Sequence, residues 1–162
     1  MPESTSAAPQ QPGQPASQPI HAATHRHKPS ILRRLFPSSK SSAPAPRFLR
    51  ILNLTRQTEI GNHIEIADNP ARRNKGLLGR TGLEPGEGLW IVPCEAVHTF
   101  AMKFSLDLIY IDRRHRVVKI RQSVPPSRIS AALRAHSVIE LPPGAIATTQ
   151  TQPGDQLQLD TL

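Results

Sequence analysis

The chain has 162 residues, enough for one ordinary domain, but 17 prolines and 4% aromatic side chains argue against all of it being packed core. Its formal charge of +8 is uneven: residues 1–50 hold seven basic side chains against Glu3 alone, which leaves +2 for the rest. No run approaches the ~20 apolar residues of a membrane-spanning helix, and the first thirty residues lack the ~7–15 residue apolar stretch of a secretory signal, so no membrane span and a cytoplasmic location are expected.

Nine of the prolines precede Arg47, in a stretch rich in Gln, Ser, Ala and His. Such a stretch buries too little to offset an ordering cost of roughly 1–2 kcal/mol per residue. Residues 1–46 are therefore expected to be a disordered basic tail, and residues 47–162 a single folded domain. A solvated tether is one use for the tail, and weak association with nucleic acid or an anionic membrane is another. No specific nucleic-acid partner is expected, because Phe36 is the tail's only aromatic residue available for base stacking.

Within the domain, 47–55 reads as a strand with Phe48, Leu52 and Leu54 on its apolar parity, and 63–67 alternates as a half-buried partner strand. Asp68-Asn69-Pro70 is a helix start, predicting a short helix over 70–78 that buries Ala71, Leu77 and Leu78 and stops at Gly79. That helix carries Gly76 in its interior, at a cost of roughly 1 kcal/mol relative to alanine. The turn-rich 80–88 leads into a strand over 89–92, followed by a possible strand over 99–104 and the clearest strand at 106–111. Residues 112–116 make a turn into 117–121, completing an antiparallel hairpin. Beyond the loop at Pro125-Pro126 come a strand over 138–141, a short helix over 145–150, a turn at 152–155 and a last strand with Leu157 and Leu159 inward. Seven or eight short strands with one or two small helices make an α+β, mainly β domain, a bent sheet or partial barrel.

Six short stretches carry a resemblance: Gly76-Leu77-Leu78-Gly79-Arg80, Gly88-Leu89-Trp90-Ile91, Phe100-Ala101-Met102-Lys103, Leu106-Asp107-Leu108-Ile109, Ile139-Glu140-Leu141-Pro142-Pro143-Gly144 and Pro153-Gly154-Asp155. Residues 62–162 resemble the domain of unknown function 192 (DUF192) family, which shows this order of motifs. The resemblance implies a mainly β fold with a small helix and no established activity. Ala101 stands where the family often has tryptophan, so a roomier pocket is expected here.

The chemistry-bearing residues cluster in 93–112. Cys94 and His98 are four apart, a spacing that places them on one side of either a helix or a strand. A nucleophile pair would need a lowered thiol pKa and an orienting acid; a zinc site would need further ligands such as His63 or His136; the third possibility is a structural or simple ligand-contacting role. Asp107 interrupts an apolar run, where a carboxylate is costly without a partner, and Arg80 offers a guanidinium for an ion pair. Glu140, between Ile139 and Leu141, fits a strand and is expected to point outward, while Gly154-Asp155 reads as a turn.

The residues expected to contact a ligand are Arg80, Cys94, His98, Thr99, Met102, Asp107 and Glu140. They frame a binding module for a small ligand or a protein, with a pocket around His98, Met102 and Asp107. The alternatives are a hydrolase or transferase using Cys94 and His98, and nucleic-acid association through the tail. No metal and no cofactor are expected, and the protein is expected to be a monomer.

Overall fold

The structure is a computed structural model that describes residues 45–162. The expected tail therefore lies outside the described residues apart from Ala45 and Pro46. The described residues form nine strands: β1 Phe48–Asn53, β2 Thr58–Ala67, β3 Glu87–Ile91, β4 Ala96–His98, β5 Leu106–Ile111, β6 Val117–Val124, β7 Ile129–Ala131, β8 Ser137–Leu141 and β9 Leu157–Thr161. Two short helices, α1 Pro70–Lys75 and α2 Ala145–Thr149, complete the set. No helix among the described residues is long and apolar enough to cross a membrane.

Seven strands make one sheet in the order β6-β5-β8-β3-β2-β1-β9. Every neighbouring pair is antiparallel except β2 and β3, which are joined through α1 and run parallel, as a helical crossover requires. The sheet curls until its edges meet at one end. There Arg116 bridges Gln156, Val117 N donates to Asp155 O at 2.9 Å, and Gly154 N donates to Val117 O at 2.7 Å. The result is a half-barrel, and β4 and β7 form a separate two-stranded arm.

Apolar side chains cover both faces of the central strands. Ile109, Ile111, Ile139 and Leu141 join one cluster with Ile146 of α2, while Leu106, Leu108, Tyr110 and Val138 join another with Leu77 and Leu89. This is why 106–111 is a continuous apolar run rather than an alternating one: all six residues of β5 are buried. The tight spacing also fixes Gly88. A Cβ there would lie 2.6 Å from the Glu140 backbone oxygen and 2.8 Å from Ile64 Cδ1. Gly88→Ala should cost about 1–3 kcal/mol in urea unfolding; a loss below about 0.5 kcal/mol would show that the strands part easily.

Several local expectations are corrected. In β1 the buried parity is Leu49, Ile51 and Asn53, while Leu54 is exposed. Both parities of β1 carry apolar residues, so alternation alone favoured neither; Phe48 instead stacks on His63 with ring centroids 3.9 Å apart. Helix α1 ends at Lys75, not Leu78, because Gly76 takes φ +49° and caps it. Gly76 is thus a cap and not a costly interior residue. Only Leu77 of the three expected apolar contacts is buried; Ala71 and Leu78 are exposed.

Residues 99–105 form turns and bends instead of a strand, and Ala101 is exposed at φ +61°. The loop after Pro126 contains the strand β7, which pairs with β4 in the register Ala96 to Ala131 and His98 to Ile129. A three-residue strand of Ile-Ser-Ala carries too little alternation to be read beforehand.

Candidate functional site

A cleft of about 590 Å³ opens between the end of α1 with its following turn and the segment running from β3 into β4. Leu77, Leu78, Ile91, Val97 and Met102 give it apolar surface, Arg73, Asn74, Lys75, Glu95 and His98 give it polar surface, and Glu140 lines it from β8. Asn69 positions the α1 side: its side chain accepts from Arg72 N at 3.0 Å and Pro70 follows at the first helical position. Arg73 is held by its guanidinium, which donates to Asp68 O at 3.0 Å and Val92 O at 3.2 Å. The opposite wall is tied to the sheet by Cys94 N donating to His136 O at 2.9 Å and to the arm by Ala132 N donating to Glu95 O at 2.8 Å.

Glu140 is the chemical centre of this cleft. It does not point outward as expected but is 5% exposed, because β8 is a central strand with both faces covered. In register it faces Leu89 on β3 and Leu108 on β5. Among the described residues its carboxyl has no hydrogen-bond or ion-pair partner, and burial alone pushes its pKa up to about 7.

Cys94 and His98 both line the cleft but do not form a pair. The Cys94 thiol donates to Ala96 O at 3.1 Å, and burial pushes its pKa up. A protonated thiol spent on a carbonyl is not a nucleophile poised at neutral pH. The His98 ring instead stacks on Phe100 at a centroid distance of 5.3 Å. No group of three or more His, Cys, Asp or Glu side chains among the described residues is placed to hold a metal ion.

The other expected residues lie elsewhere, and Met102 alone joins Cys94, His98 and Glu140 in the cleft. Thr99 is buried in the joint between arm and loop: its hydroxyl donates to Pro125 O at 2.7 Å and accepts from Arg128 N at 2.9 Å. Arg80 pairs with Glu65 at 2.5 Å, not with Asp107. Asp107 is fully buried on the other face of the sheet, where its carboxylate accepts backbone N–H groups from Ser123 at 2.8 Å, Gly144 at 3.1 Å and Ile146 at 2.9 Å. The backbone supplies the partners expected from a guanidinium, so the pocket around His98, Met102 and Asp107 is not formed. Ala101 does not line the cleft, and its small side chain leaves the cleft unchanged.

Asp155 makes the expected turn and is also a buried anchor. Burial alone would raise its pKa, but hydrogen bonds from Arg56 at 3.1 Å, Asn53 at 2.9 Å and Gln152 N at 2.9 Å hold it below the usual range. Its stabilising contribution is present above the ordinary carboxylate range and is lost as pH falls through the lowered value. It sits where β6 and β9 meet, away from the cleft.

The sequence pattern of DUF192, described as an uncharacterized ACR family, matches residues 52–159. The chain belongs to the DUF192 family. Two curated relatives agree with this membership. A UPF0127 protein of Thermococcus gammatolerans is 28% identical over 115 residues, covering 68% of this chain and 74% of its own length. A UPF0127 protein of Pyrococcus abyssi is 31% identical over 115 residues, covering 67% of this chain and 95% of its own.

Two solved structures share the fold seen here. One, described as a putative transcription regulator from Sinorhizobium meliloti 1021, has a TM-score of 0.62 and 22% identity, covering 71% of this chain and 94% of its own. The other, a protein of unknown function from Novosphingobium aromaticivorans, has a TM-score of 0.58 and 22% identity, covering 76% and 97%. At that identity the likeness concerns the fold.

Leu77, Ile91, Arg73 and Lys75 were missed as cleft residues by reasoning from sequence. Glu140 was named as a candidate from the sequence, but its burial depends on the strands that flank β8, which the sequence does not give.

Proposed function

We propose that this domain is a binding module whose ligand occupies the cleft between α1 and β4. One observation carries the reading: the carboxyl group of Glu140, a residue only 5% exposed and set between Leu89 and Leu108, has no hydrogen-bond or ion-pair partner among the described residues and lines the cleft. Folding does not leave such a group unpaired for stability's sake, because its burial is a cost. A ligand that supplies the missing partner recovers that cost on binding. In this reading residues 47–162 work as one unit and residues 1–46 serve as a tether.

The experiment is a fragment screen read by backbone amide shifts in two-dimensional NMR, on the wild type and on Leu78→Trp. Leu78 is exposed and lines the cleft, so a tryptophan there fills the space without touching the core. Binding fragments should shift the amides of Leu77, Val97 and Met102, and Leu78→Trp should weaken them at least tenfold. Shifts that map away from the cleft, or that persist unchanged in Leu78→Trp, would contradict the reading.

A further inference from the structure

The groups around Glu140 narrow the class of ligand. Those facing the cleft or acting on its carboxyl are Arg73 and Lys75 from the α1 side, Cys94 and Glu95 from the segment after β3, His98 from β4, and Tyr110 from β5. None donates to Glu140. The Cys94 hydrogen is engaged by Ala96 O, and the Arg73 guanidinium is held by Asp68 O and Val92 O. The His98 ring is stacked on Phe100. Glu140's register neighbours Leu89 and Leu108 offer only carbon. The Tyr110 hydroxyl is likewise without a hydrogen-bond partner and makes no bond to Glu140, so a ligand seated against that carboxyl meets it free and must bring hydrogen-bond donors.

We infer that the cleft selects ligands carrying a primary ammonium group on an apolar body, with the ammonium seated against Glu140. This rests on the binding reading above and goes further by naming the ligand's chemistry. An ammonium supplies three donors and the compensating charge in one group, and it does so where the surrounding medium is poorly screening. An alcohol supplies one donor and no charge. A carboxylate is repelled by Glu140 unless that carboxyl stays protonated, and its counter-charges, Arg73 and Lys75, lie on the α1 side of the cleft. The apolar body of the ligand meets Leu77, Ile91, Val97 and Met102, which line the walls.

A pH signature follows. The ammonium remains charged to about pH 10, so a change in its affinity between pH 6 and 8 that Glu140→Gln abolishes belongs to Glu140, which ionises at about 7, and not to His98 on the cleft wall. Only the ionised carboxylate pairs fully with the ligand, so binding strengthens with rising pH and releases a proton.

Three probes of equal length separate the possibilities: hexylamine, hexanol and hexanoate, titrated into the full chain and followed by the amide shifts of Leu77, Val97 and Met102. Hexylamine is expected to bind at least tenfold more tightly than the other two at pH 8. Its affinity should rise about tenfold from pH 6 to pH 8, as the ionised fraction of a group titrating near 7 does. In Glu140→Gln the preference and the pH dependence should both disappear. Equal or tighter binding by hexanol or hexanoate would overturn the ammonium assignment while leaving the cleft as a binding site. Failure of all three to shift those amides would overturn both. The wild-type comparison of probes and pH decides the matter even if Glu140→Gln does not fold.

Discussion

Asp107→Ala is expected to lower the free energy of unfolding by about 3–5 kcal/mol. The residue is fully buried, and its two carboxylate oxygens hold three backbone N–H groups, from Ser123 in β6 and from Gly144 and Ile146 at the start of α2. Removing the carboxylate leaves those donors without an acceptor, in a place where each unpaired group costs about 1–3 kcal/mol. It also unties α2 from β5, and with α2 the side chain of Ile146, which is 1% exposed within the core. Asp107→Asn keeps one accepting oxygen and should lose roughly half as much. Urea unfolding of both variants checks this; an Asp107→Ala loss below about 1 kcal/mol would show that water or the backbone replaces the carboxylate without penalty.

Glu140→Gln is expected to stabilise the protein progressively as pH rises. A free glutamate titrates near 4.5, whereas Glu140 titrates at about 7 in the folded chain. Between those values the folded state keeps a proton that the unfolded state has released. The contribution of the protonated group is complete below about pH 4.5 and is lost as pH rises through 7. The gap corresponds to on the order of 3 kcal/mol once both states are ionised. The glutamine amide has no charge to desolvate, so the stability difference between variant and wild type should grow by that amount from pH 4.5 to pH 8. A difference that is the same at both ends of the range would mean that Glu140 ionises normally.

Glu140 and Asp107 also show what the sequence can and cannot convey. Both interrupt apolar strands, but only Asp107 read as a costly carboxylate, while Glu140 read as one free to face outward. Their surroundings were not visible, because those depend on which strand neighbours which. Asp107 was expected to seek Arg80, yet the turn before α2 and a backbone N–H of β6 meet it first, and Arg80 goes to Glu65. Glu140 was expected to face water because its own strand alternates, but the order β5-β8-β3 places a strand on each side and side chains over both faces.

Local signals fared better where a single residue type dictates the backbone. Asn69-Pro70 begins α1 as read, and Asp112 makes the turn between β5 and β6 by accepting the N–H groups of Arg114 at 2.8 Å and Arg116 at 2.9 Å. They failed where two parities compete, as in β1, and where an element is too short to have a period, as in β7. The cleft was half legible. The segment 93–102 announced its wall through Cys94, His98 and Met102, whereas the turn after α1 became the facing wall only through Gly76, whose left-handed backbone swings Leu77 inward and Leu78 to the rim.

The account depends on Glu140 being a largely buried, unpartnered carboxyl on the cleft wall, and its own titration tests that most directly. Following the Glu140 side-chain carboxyl carbon by NMR from pH 3 to pH 9 should give a midpoint of about 7. A midpoint near the ordinary 4.5 would mean that the carboxyl is hydrated or already paired, and would contradict the reading of the cleft as a site waiting for its partner.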